Sequence, residues 1–325
     1  MRLKSLDIAR GIGIILVVMG HFLPEGVPYW YSAGRQVIYS FHMPLFLFIS
    51  GFVYMYARRD DISYGAFLKK KFRRIVVPYL AVSFLFIGIK FIPQMLGIYV
   101  KNPVTADSFL RVFYYPEAAV SLWYLWALWW FYMIVPLLKS PAMRIIALVA
   151  AMVIAWIPFE LPDVCALPKV KEMFRYFMLG VVAAEWRDLT GPLKRIPSYA
   201  VYAFNLLLLF LWLRFGIRSD VLLALAGIAS VLKLSGSLVP LIERGKLGWL
   251  DCVSSHSYTI YLLHPIFVAA VLAVFKSMGL QAADPFELTA ALAVAVAAGV
   301  IGPIVIDVIS GKVFSRLRGD SGARE

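Results

Sequence analysis

The chain has 325 residues, of which 62% are hydrophobic and 16% charged, with a formal net charge of +13. Soluble domains carry roughly 45–50% apolar and about 25% charged residues, so a soluble enzyme and a disordered chain are both excluded. The excess of Lys and Arg matches the basic bias of cytoplasmic loops in membrane proteins, and nucleic acid is not an expected partner.

A transmembrane helix takes about 20 mostly apolar residues. Ten such segments follow one another, over 6–24, 38–57, 75–97, 119–138, 143–159, 174–186, 199–215, 221–240, 256–276 and 286–310. The expected fold is all-α and integral to the membrane. It is a single transmembrane bundle over 1–310, with a short basic cytoplasmic tail over 311–325. The loops leave no room for a separate soluble domain, and no internal repeat is visible. With the N-terminus inside, inner segments hold 22 Lys and Arg and outer segments 9, which predicts both termini in the cytoplasm. The first apolar run lacks a small-residue cleavage site, so no cleaved leader is expected. Cys165 and Cys252 fall on opposite sides and show no metal spacing, which predicts neither a disulfide nor a metal centre.

An ionisable residue inside a span costs at least ~2.5 kcal/mol, so each one needs a reason. In the first span, Arg10 and His21 are eleven residues apart, which puts them on one helical face about 16 Å apart along the axis. Asp7, one turn before Arg10, is placed to neutralise or orient it. Gly11, Gly13 and Gly20 permit close approach to this helix. His42 opens the second span at a depth similar to His21, either as a helix cap before Pro44 or as the second member of a proton-transfer site. Ser50 lies further along the same span.

The third span begins with Lys69, Lys70, Lys71, Arg73 and Arg74. Topology alone explains that density, but arginines at one mouth also suit bidentate phosphate binding. The fourth span carries Trp123, Tyr124, Trp126, Trp129 and Trp130, either as an aromatic belt at the outer interface or as a rigid wall for a sugar or thioester pocket. His264, before Pro265, lies about 12 Å into its span and is either an internally bonded packing residue or part of the site. No dinucleotide fingerprint, P-loop, HExxH or GxSxG elbow occurs.

Arg10 and His21 within Leu6-Asp7-Ile8-Ala9-Arg10-Gly11…Met19-Gly20-His21 resemble the opening signature of the membrane acyltransferase 3 family. Phe41-His42-Met43-Pro44-Leu45-Phe46 through Phe52 is similar to its second-span signature. Lys71…Arg74-Ile75…Pro78 resembles its basic third-span start, with Lys71 standing where the Arg-x-x-Arg pattern has its first arginine. Leu122-Trp123-Tyr124-Leu125 and Tyr258…His264-Pro265 are similar to weaker landmarks. The first span looks closest to the fucose-4-O-acetylase-like and enterobacterial-common-antigen O-acetyltransferase-like branch.

The resemblance implies an acetyl-CoA-dependent O-acetyltransferase of the bacterial inner membrane, acting without a metal on a sugar hydroxyl of a surface polysaccharide or lipid-linked glycan. Arg10, Lys71, Arg73 and Arg74 are then expected to bind acyl-CoA, and His21 to be the general base. An acetyl-histidine intermediate is the variant chemistry. Asp7 would fix Arg10, and His42 would orient His21 or the sugar. Trp123, Tyr124, Ser50 and His264 are the candidate substrate contacts. Some members carry an appended SGNH hydrolase-like domain; here the bundle is expected to finish the transfer itself or hand over to another protein. The expected partners are acyl-CoA, the glycan acceptor and membrane lipids, with self-association left open. The rival readings are a non-enzymatic carrier of acyl groups or lipid-linked sugars, and a scaffold for a polysaccharide synthase.

Overall fold

The computed structural model describes residues 3–58, 62–97, 100, 103–186 and 195–317. The regular elements among the described residues are all helices, without a strand. The helices are α1 (Lys4–His21), α2 (Tyr29–Tyr56), α3 (Tyr64–Met95), α4 (Ser108–Arg111), α5 (Trp123–Ile134), α6 (Pro141–Ile154) and α7 (Leu167–Glu185). They continue with α8 (Ser198–Phe215), α9 (Asp220–Glu243), α10 (Gly248–Ser255), α11 (Ser257–Ser277) and α12 (Pro285–Leu317). Each of the ten expected spans falls on a helix. Seven candidate spans among the described residues are long and apolar enough to cross a membrane: α2, α3, the stretch Ala119–Leu137 around α5, α8, α9, α11 and Pro285–Gly311 of α12. The helices α1 and α7 carry several charges, and α6 has 14 residues. The expected tail over 311–325 is helical as far as Leu317, and the rest of it lies outside the described residues, as do Arg2, Arg59, Lys101, Arg187 and Lys194 of the charge count.

The chain divides into two compact units, Met1–Phe46 with Arg195–Glu325, and Leu47–Lys194. In the first, α1 is the central helix. It packs against α9, α10, α11 and α12, and Leu6, Ile8, Ala9, Gly11, Gly13, Ile14, Val17, Val18 and Gly20 are all buried. A helix apolar nearly all round belongs in a core. Small residues set the distances: a methyl group on Gly11 would lie 3.2 Å from the carbonyl oxygen of Leu250, and one on Gly299 of α12 only 2.6 Å from Cγ1 of Val18. The hydroxyl of Ser254, at the end of α10, donates to the carbonyl of Asp7. Of α8 only Trp212 is buried, so this helix forms the outer face of the unit, tied to α9 by Asn205 and Ser230 at 3.2 Å.

In the second unit, α3 is about 48 Å long. The Gln94 amide clamps the returning chain, with Nε2 donating to Val104 O at 2.8 Å and Oε1 accepting from Val104 N at 3.0 Å. Further along, the Tyr79 hydroxyl donates to Val112 O at 2.7 Å. Residues 104–112 therefore run back beside α3, and a 3-10 turn over Glu117–Leu122 leads into the short α5. Gly51 and Gly180 let α2 and α7 touch backbone to backbone: a methyl on either would collide with the carbonyl of Phe177 or Phe48.

Candidate functional site

The first unit holds the histidines. Arg10, Ile14, Val17 and His21 form one stripe of α1, with Ile14 and Val17 buried between two half-buried ends. The stripe therefore faces protein. Asp7 Oδ1 accepts from Arg10 Nη1 at 3.4 Å, the i, i+3 pairing that their spacing predicts. At the other end, α2 caps the carbonyls that α1 leaves open. Arg35 Nε donates to Gly20 O at 2.7 Å, the Tyr39 hydroxyl to the same oxygen at 3.2 Å, and the Tyr31 hydroxyl to Phe22 O at 2.6 Å. The Arg35 guanidinium lies 4.3 Å from the centre of the Tyr39 ring, and its charge also suits the negative end of α1.

Three imidazoles meet there. His21 and His264 stand edge to face with ring centres 4.7 Å apart. The Tyr39 ring lies 4.8 Å from His42 and 6.3 Å from His21. Each histidine donates from Nδ1 to its own helix: His21 to Val17 O at 2.8 Å, His42 to Ile38 O at 2.8 Å, His264 to Ile260 O at 2.9 Å. In the neutral ring that bond leaves Nε2 as a lone-pair acceptor, the form a general base requires.

Sequence spacing places His264 well short of His21, because it measures depth from the start of each helix. The structure starts α11 higher. Its predecessor Ser254 is bonded at Asp7, one turn into α1, and His21 reaches back toward Val17. The two rings therefore arrive level. Tyr39 and Arg35 were not among the expected site residues, although Arg35, Tyr39 and His42 fall on an i, i+4, i+7 stripe of α2 that the sequence displays.

The second unit holds the basic segment and the tryptophans. Trp126 packs on Tyr79, Trp129 on Phe72, and Tyr132 on Phe67. The Tyr64 hydroxyl, at the first residue of α3, donates to Met133 O at 2.9 Å. These contacts set α5 antiparallel to the basic half of α3. Trp129 thus lies beside the basic segment Lys69–Arg74 and Trp126 further along α3, because the fold-back of 104–112 carries α5 along α3, which hydropathy does not register. Lys71 Nζ sits 3.7 Å from the centre of the Tyr132 ring, while Arg73 and Arg74 are exposed. Trp123 meets Lys169, and the Tyr124 and Ser50 hydroxyls are 2.9 Å apart.

Two buried arginines of this unit also escaped the sequence reading, which counted them as loop charges. Arg144 is saturated: Nε and Nη2 engage both oxygens of Glu185, and Nη1 donates to Leu138 O at 2.7 Å. Arg175 is buried against Tyr176 with Nε lacking a hydrogen-bond partner. Cys165 lies in a loop pinned by Trp130, and burial pushes its thiol above the usual value, away from the nucleophilic thiolate. Among the described residues no cluster of three or more His, Cys, Asp or Glu is placed to hold a metal ion.

Comparison with known proteins adds an independent line. A family model described as an acyltransferase domain matches residues 3–308. Nodulation protein NolL of Sinorhizobium fredii (strain NBRC 101917 / NGR234) is 28% identical over 194 residues, covering 56% of this chain and 48% of that protein. Nodulation protein NolL of Mesorhizobium japonicum (strain LMG 29417 / CECT 9101 / MAFF 303099) is 28% identical over 189 residues, with the same coverage. The chain spans about half the length of these curated relatives. No solved structure matches it.

Proposed function

The chain belongs to the acyltransferase 3 family, and on that premise we propose that it is a multi-pass O-acetyltransferase of the bacterial inner membrane. It moves an acetyl group from cytoplasmic acetyl-CoA to a sugar hydroxyl of a surface polysaccharide or lipid-linked glycan. The observation that carries this reading is the fixed tautomer of His21. Its Nδ1 is committed to Val17 O, and Nε2 is left to take a proton.

In this reading His21 removes the proton of the acceptor hydroxyl as that oxygen attacks the thioester carbonyl. Arg10, held by Asp7, in the first unit, and Lys71, Arg73 and Arg74 in the second, are each candidate cations for the phosphates of the donor. Lys71 is held against Tyr132, where a nucleotide ring or the donor's arm has an aromatic surface to lie on. Trp123, Tyr124 and Ser50 line the same unit as candidate substrate contacts. His42, bridged to His21 by the Tyr39 ring, orients the base.

The test supplies acetyl-CoA labelled in the acetyl group to inside-out membrane vesicles from cells that make the protein. The account expects label in the glycan fraction together with free CoA thiol, and loss of both in His21→Ala at equal abundance. Cargo movement without thiol release would instead mark a carrier, and unchanged labelling in His21→Ala would remove the base from His21.

A further inference from the structure

Pro265 lies inside α11 and has no N–H to offer the carbonyl of Tyr261. The preceding imidazole takes up the freed oxygen: His264 Nδ1 lies 3.0 Å from Tyr261 O as well as 2.9 Å from Ile260 O. With its proton committed at Nδ1, the neutral ring carries a lone pair on Nε2. That atom is buried and has no hydrogen-bond partner. The orphaned acceptor belongs to a ring 4.7 Å from that of His21. The neighbouring packing is close, since a methyl group on Gly299 of α12 would lie 3.7 Å from the His264 Cβ and 3.2 Å from Cγ2 of Val268.

In the resting site both rings present Nε2 as an acceptor, and two acceptors do not bond each other. A proton on His21 changes this, since its Nε2 becomes a donor and the neighbouring ring holds an acceptor that has no other partner. We propose that His264 is a positioning residue for this event: its Nε2 accepts a hydrogen bond from protonated His21 and holds the captured proton between two imidazoles during acyl transfer. The inference rests on the reading of His21 as general base. The acceptor oxygen forms its bond to the carbonyl carbon, and its proton passes to His21 Nε2, where His264 shares it. The carbon–sulfur bond then breaks, and the same proton returns to the leaving thiolate as the CoA thiol. No further reactant is needed.

Two substitutions separate the ring nitrogens. Asn at 264 keeps a donor near the Nδ1 position and places no acceptor at Nε2; Gln places its Oε1 there. In membrane vesicles with labelled acetyl-CoA as the probe, His264→Asn is expected to lower turnover about 100-fold, the lower range for an acid–base group. The KM for acetyl-CoA should not change. A curved dependence of rate on deuterium content should become linear as the shared proton is lost. His264→Gln should restore most of the rate and the curvature. Parental rate and curvature in His264→Asn would overturn the proposal. Equal impairment of both variants with curvature retained, or failure of both to accumulate, would also overturn it, by making the residue structural. His21→Ala is run alongside. If it stays active, the reading of the base falls; if it is inactive while His264→Asn behaves as the parent, only the present inference falls.

Discussion

Arg144 in the second unit and His264 in the first are both almost fully buried, with 4% and 0% of their surfaces exposed. They differ in what remains of their bonding capacity. Arg144 gives both arms of its guanidinium to Glu185 and the rest to the carbonyls of Leu138 and Lys139. His264 satisfies Nδ1 twice over and leaves Nε2 with nothing. The first pattern is that of a staple between α6 and α7. The second fits the proton sharing proposed for His264. Between these two residues, unused bonding capacity makes a distinction that burial does not.

Substitutions test that contrast. The largest stability effect is expected at the staple. Arg144→Met leaves Glu185 as an uncompensated charge, a loss of about 3–5 kcal/mol, visible as lower thermal stability in detergent and lower membrane abundance. His264→Asn should leave both nearly unchanged while reducing turnover, and the opposite pattern would erase the distinction. Gly299→Ala should rank next, because its methyl meets Val18 at 2.6 Å. Overpacking of this kind costs about 1–3 kcal/mol, and here it should also slow transfer by shifting α12 against the His264 backbone. Lys71→Ala should act on binding: loss of its place on Tyr132 raises the KM for acetyl-CoA more than it lowers turnover. A fall in turnover alone would separate the basic segment from donor binding. Tyr39→Phe should be the mildest, since it keeps the ring beside His42 and removes only the bond to Gly20 O, worth about 0.5–1.5 kcal/mol.

The sequence displays the parts of the site that lie on single helices. Arg10, Asp7 and His21 are readable from the 3.6-residue period alone, and the structure keeps their stripe turned to protein. His264 was visible as a costly polar residue before a proline, but its meeting with His21 was not. That meeting depends on α10, a short helix whose last turn fastens to Asp7 and sets the height at which α11 begins. Likewise the tryptophans of α5 are countable in the sequence, while the register of α5 along α3 depends on the Gln94 and Tyr79 clamps over 104–112. Periodicity reports which face of a helix is buried; it carries no information about the axial offset between two helices.

The most direct test of the central claim, that His21 is the base of an acetyl transfer, is the O-acetyl content of the surface glycan by NMR. Cells carrying the parent chain are compared with cells carrying His21→Ala at matched membrane abundance. The account predicts that the O-acetyl signals vanish with the imidazole. Signals of undiminished intensity would contradict it.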